Sequence, residues 1–169
     1  MTRFRIEPVS SHVWVDARTD LHPVHGEATG IDGWIEAALA NGGLDLSDPP
    51  KARVELNVGS IRWGNALFNN ELRRRIQARR YPTIVGELTE AREAGPGRYA
   101  LRGDLSFRGV TRPVDGEVEV RILGEDAIEV EGEQTFDIRD FNMDPPRMLM
   151  LKAYPDVKVR IHLVGKLEG

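Results

Sequence analysis

Cysteine is absent from all 169 residues. Disulfides, thiolate nucleophiles and Cys-ligated zinc or iron–sulfur centres are therefore excluded. The absence fits a reducing compartment. A cationic surplus is lacking too. The 23 basic and 27 acidic residues leave a formal net charge of −4, whereas domains that grip phosphate backbones usually carry a clear basic excess. Nucleic acid is not an expected partner. No run of 18 uninterrupted apolar residues occurs, so no membrane-spanning helix is expected. The first twenty residues have neither the apolar core nor the small-residue cleavage site of a secretory leader, and a cytoplasmic location is the expectation. Repeats, low-complexity tracts and linkers are also missing, and the length suits one domain over residues 1–169.

Catalytic motifs are equally scarce. Ser10, Ser11, Ser47, Ser60 and Ser106 stand in no G-x-S-x-G context. Neither G-x-G-x-x-G nor G-x-x-x-x-G-K occurs, and no cofactor is expected. Glu117 and Glu119, like Glu129, Glu131 and Glu133, recur at strand spacing on a polar face. That is the pattern of a solvated surface, and no enzyme is expected.

What the chain does have is alternation, the signature of half-buried strands. Val13, Val15 and Ala17 oppose His12, Trp14, Asp16 and Arg18. Ala52, Val54, Leu56 and Val58 oppose Lys51, Arg53, Glu55 and Asn57. The same division recurs in four more runs, with Tyr99, Leu101, Leu105 and Phe107, then Val114, Val118, Val120 and Ile122, then Ile128, Val130 and Phe136, then Val157, Val159, Ile161 and Leu163 on their apolar faces. Less regular runs lie around residues 30–39 and 83–89, and a short one lies at 4–6. One wet and one dry face per strand implies antiparallel pairing. Polar turns at 93–97, 108–109 and 124–126 suggest hairpins in sequence order, closing into an eight-stranded barrel. A two-sheet sandwich is the competing architecture.

One segment has a different period. Phe68, Leu72 and Ile76 recur at four-residue intervals and Pro82 follows, which predicts a helix over about 65–80, placed to plug one barrel end. Arg73, Arg74, Arg75, Arg79 and Arg80 cover its other faces. They keep a helix solvated or meet an anionic head group.

Gly86, Gly103, Gly116 and Gly132 share the inward parity. Strand glycines mark bulges and corners. Inside an eight-stranded barrel they also leave room for one small ligand. The few polar groups on that parity are Thr19 and Gln134, enough to orient a head group in a hydrocarbon pocket. His22 and His25, with Asp20 or Glu27 beside them, offer an alternative metal site if their loop folds back.

Four stretches together resemble the YceI-like family. Residues 11–26 are similar to its opening strand, an alternating run that ends in a His before a Gly. Asn69-Asn70-Glu71-Leu72-Arg73 through Tyr81-Pro82-Thr83-Ile84 resembles its helix and the strand after it. Gly103, Leu105, Gly109, Thr111 and Pro113 fall in step with a hairpin pattern G-x-L-t-x-x-G-v-T-k/r-P-v. Residues 138–143 resemble an R-x-D-F-G-I corner, with Ile138 in place of Arg and Asn142 in place of Gly. The resemblance implies a lipocalin-like barrel that binds polyisoprenoid or other amphiphilic lipids, and a homodimer.

The residues expected to line such a ligand are Val13, Val15, Ala17, Val54, Leu56, Phe68, Leu72, Ile84, Tyr99, Leu101, Gly103, Leu105, Val118, Val120, Val130, Phe136, Val159 and Ile161. Arg73, Arg79 and Gln134 are the head-group candidates. The alternative is a non-binding structural or interaction barrel, its core filled by Phe107, Phe136, Tyr99 and the helix stripe.

Overall fold

The computed structural model describes residues 1–64, 66–145, 147, 148 and 151–168. Eight antiparallel strands form its wall. Three of them bend, and each bend divides a strand into two segments. β1 comprises Thr2–Ile6 and His12–Thr19, β2 comprises Val24–Ala28 and Ile31–Ala37, and β3 comprises Lys51–Asn57 and Ile61–Trp63. The others are continuous: β4 (Thr83–Gly95), β5 (Arg98–Phe107), β6 (Val110–Leu123), β7 (Ala127–Asp137) and β8 (Leu151–Leu167).

Each strand pairs with the next, and the sheet closes where β1 meets β8. Val13 lies opposite Ile161 and Phe4 opposite Leu167. Closure rules out the sandwich, because it removes both free edges. The expected turns at 93–97, 108–109 and 124–126 join β4 to β5, β5 to β6 and β6 to β7. The segments Val24–Ala28 and Ile61–Trp63 have too few alternating positions to stand out in the sequence, and they extend β2 and β3.

The bends are paid for locally. In β1 the break falls at residues 7–11, where the fully buried Ser11 accepts the Val164 N–H through its hydroxyl at 3.0 Å. A buried hydroxyl needs such a partner. In β3 the Asn57 side chain accepts the Gly59 N–H at 2.8 Å, opening a one-turn 3₁₀ helix at Val58–Ser60.

Two apolar clusters occupy opposite ends of the barrel. Phe4, Ile6, Ile31 and Ile128 anchor one, and all are at most 1% exposed. At the other end Leu72 and Ile76 of the helix α1 (Ala66–Ile76) pack with Val24, Val58, Ile138 and Met143. The helix is shorter than the 65–80 expected. Gln77 adopts φ +57°, and the chain turns there. The Gln77 N–H bonds the Arg74 carbonyl and the Ala78 N–H bonds the Arg73 carbonyl, which together make a Schellman cap. Residues 77–80 therefore form a turn, and Arg79 and Arg80 leave the helix.

Two side chains fix α1 in place. The Asn69 amide brackets Trp63, accepting its N–H at 2.9 Å and donating to its carbonyl at 3.1 Å. Arg108 Nε donates to the Arg75 carbonyl at 2.9 Å, and its Nη1 donates to the Asn142 carbonyl. Asn142 sits at φ +57°, the left-handed residue that ends the short turn Ile138–Phe141. Glycine suits that conformation best and asparagine next. Asn142 therefore makes this left-handed corner without a glycine.

Candidate functional site: the barrel interior

A cavity of about 460 Å³ lies inside the barrel, walled by residues of both clusters. This falls in the range of small-molecule pockets. Its walls are almost wholly hydrocarbon, because the alternating strands turn their branched aliphatic side chains inward and their ion pairs outward.

Of the expected lining residues, Val13, Val15, Ala17, Val54, Leu56, Leu72, Ile84, Leu101, Gly103, Leu105, Val118, Val120, Val130, Phe136, Val159 and Ile161 border the cavity. The Phe68 side chain lies outside the described residues. Tyr99 is a correction. It is 5% exposed, and its hydroxyl accepts the Leu44 N–H at 3.0 Å. That bond ties the small hairpin Leu39–Ala40/Gly43–Leu44 to the wall, and the ring is not part of the cavity lining.

The head-group candidates divide. Gln134 borders the cavity, but Arg73 and Arg79 do not. The helix presents Leu72 and Ile76 to the interior, which turns its arginines away. Arg79 is exposed. Arg73 is half-buried, with Nη2 3.5 Å from the Gly59 carbonyl. Arg74 and Arg75 both hold Glu71, at 2.8 and 2.7 Å, and their hydrogen bonds keep its carboxyl below the usual range. Asp137, at the start of the corner, is lowered in the same way by the Arg139 side chain and backbone N–H. These pairs brace the helix end of the barrel.

The four inward glycines fall into two kinds. A side chain at Gly103 would strike the Glu87 carbonyl oxygen at 2.5 Å, and the β4–β5 register shifts there. One at Gly132 would meet Val118 Cγ1 at 2.8 Å. Both are close approaches of neighbouring strands. Gly86 faces open space, and at Gly116 the nearest atom is Gln134 Oε1, 4.0 Å away. These two leave the cavity its room.

Several lining residues escaped the sequence pattern. Ile61 and Trp63 come from a three-residue strand segment, and Ile138, Phe141 and Met143 come from the corner. Neither segment is long enough to show a period. Phe107 packs its ring on Phe141, 5.6 Å between centroids, at that same end. Phe107 and Phe141 thus meet at the helix end, Phe4 packs at the other end and Tyr99 lies outside the lining, and the space between stays hollow, against the filled-core alternative.

Among the described residues, His22 and His25 belong to no shared cluster of metal-ligand type. His25 Nδ1 meets Asp16 at 2.5 Å on the outer wall, and His22 Nδ1 lies 3.1 Å from the Pro23 carbonyl. Among the described residues, a trio of metal-ligand type forms elsewhere on the outer face, where Glu129, Glu131 and His162 bring their ligand atoms within 4.8 Å of one another. His22 and His25 take no part in it.

A model of the YceI-like domain matches residues 4–165. The chain belongs to the YceI-like family. No curated protein sequence matches it significantly. Solved structures of similar fold include BcnA of Burkholderia cenocepacia, 18% identical, with a TM-score of 0.78 over 94% of this chain and 98% of that one. A polyisoprenoid-binding domain from Saccharophagus degradans is 12% identical, with a TM-score of 0.76 over 99% of this chain and 100% of that one. The YceI protein of Campylobacter jejuni is 15% identical, with a TM-score of 0.68 over 85% of each chain. At these identities the likeness is one of fold. Among the described residues no helix of this YceI-like chain is long and apolar enough to cross a membrane.

Proposed function

We propose that this YceI-like barrel binds or carries one hydrophobic or amphiphilic small molecule, an isoprenoid or other lipid, without catalysing a reaction on it. The hollow apolar interior carries the proposal. Burying a methylene is worth about 0.8 kcal/mol, so ten would gross about 8 kcal/mol before ordering costs. That supports useful affinity with no catalytic group. The polyisoprenoid-binding domain of similar fold supports the ligand class. Non-catalytic action fits a lining of aliphatic and aromatic side chains, with Gln134 the inward polar group. A cytoplasmic site of action and pairing into a homodimer belong to the same proposal. The first is supported by the cysteine-free sequence and the second by the family resemblance.

Titration with a fluorescent long-chain amphiphile tests the reading. The expected result is saturable binding of one probe per chain, with an emission shift that reports an apolar environment. Linear, unsaturated uptake would contradict it.

A further inference from the structure

The barrel wall is unzipped at one place. β6 and β7 pair from Leu123–Ala127 down to Val118–Gly132 and no further. Beyond that point residues 110–117 of β6 stay paired to β5, and residues 133–137 of β7 stay paired to β8, but not to each other. The parted stretch of β7 is five residues, about 17 Å of strand. Below it, Arg112 Nε donates to the Asp140 carbonyl at 3.0 Å, joining β6 to the corner again.

Extending the register one step beyond Val118–Gly132 would set Glu117 against Glu133, as Glu119 is set against Glu131 within the ladder. The next step would oppose Gly116 and Gln134. Gln134 has inward parity and borders the cavity, yet it is exposed. A residue that is both marks an opening. Gly116, Gly132 and Gln134 border the inner cavity and also an outer groove over the same strands, so the two spaces meet at the seam.

We infer that the β6–β7 seam is a side doorway through which the amphiphile enters, and that its head group stays there, at Gln134. The inference rests on the cavity reading above. The rim determines the head-group chemistry. Asp115, Glu117 and Glu133 stand at the seam. Each already neutralises a cationic neighbour, since Arg102, Arg98 and Lys158 lie at 3.8, 3.6 and 3.5 Å in pairs whose two partners are both exposed. A phosphate would meet those carboxylates. An alcohol or amine, which donates hydrogen bonds and carries no negative charge, matches both the carboxylates and the Gln134 carbonyl oxygen.

The test exploits the absence of native cysteine. A Gly116→Cys/Gln134→Cys variant is bridged by a short bis-maleimide, to which each thiol adds, with the bridge verified by mass. Exchange of a fluorescent long-chain amine is then followed by stopped flow. Against the unbridged double variant, association and dissociation are both expected to slow by about tenfold or more. Equal rates in the two forms overturn the doorway. In the wild type the amine or alcohol is expected to bind more tightly than a phosphate of equal chain length, and the reverse order overturns the head-group assignment. Failure of the wild type to bind any of the three probes overturns the cavity reading itself. Binding with unchanged exchange overturns the doorway alone.

Discussion

A Gly86→Phe variant is expected to fold normally and to lose about a hundredfold in affinity for a long-chain ligand. Gly86 lies on β4 between Val54 of β3 and Leu105 of β5, and its missing side chain opens onto the cavity. A benzyl group placed there displaces about four ligand methylenes, worth roughly 3 kcal/mol. That converts to the stated loss. Stability should hold or rise, because phenylalanine suits a strand better than glycine by up to about 1 kcal/mol. Ligand titration paired with a urea midpoint separates the two effects. Unchanged affinity with an intact fold would mean that the ligand lies elsewhere.

Phe4→Ala is expected to show the opposite profile. Phe4 is fully buried at the closed end, where β1 meets both β8 and β2. The backbone of Gly165 lies flat against it, since a side chain there would meet Phe4 Cβ at 3.0 Å and Ile128 Cγ2 at 2.9 Å. Removing so enclosed a ring costs about 3–5 kcal/mol, a large share of the ~5–15 kcal/mol that holds a typical domain together. The urea midpoint should drop with little change in slope. Phe136→Ala, on the half-buried cavity wall, should cost far less, because its ring already borders empty space. Equal losses at the two positions would argue that the barrel is packed throughout.

The strands were legible in the sequence because their outer faces are charged and their inner faces aliphatic. Period two therefore survives in Val13–Ala17, in Leu101–Leu105 and in Val157–Leu163, and the barrel and most of the cavity wall follow from it. Boundaries set by backbone conformation were less legible. Gln77 ends the helix in a left-handed turn that glycine usually occupies, so the arginine run gave no sign of the stop at Ile76. Tyr99 has the parity of a lining residue, but its hydroxyl is claimed by a hairpin 55 positions earlier in the chain. Inward glycines looked alike in the sequence. Whether each makes a void or a close strand contact depends on the register of its neighbours, which separates Gly86 and Gly116 from Gly103 and Gly132. The seam depends on the same information, since nothing in the alternation of β6 and β7 marks Val118–Gly132 as their last pair.

Native mass spectrometry of the protein purified gently from cells, repeated after incubation with long-chain alcohols, tests the central claim most directly. The hollow-barrel account predicts one apolar adduct per chain, displaced by competing long-chain alcohol and diminished in the Gly86→Phe variant. A spectrum that shows only the bare chain under both conditions would contradict it.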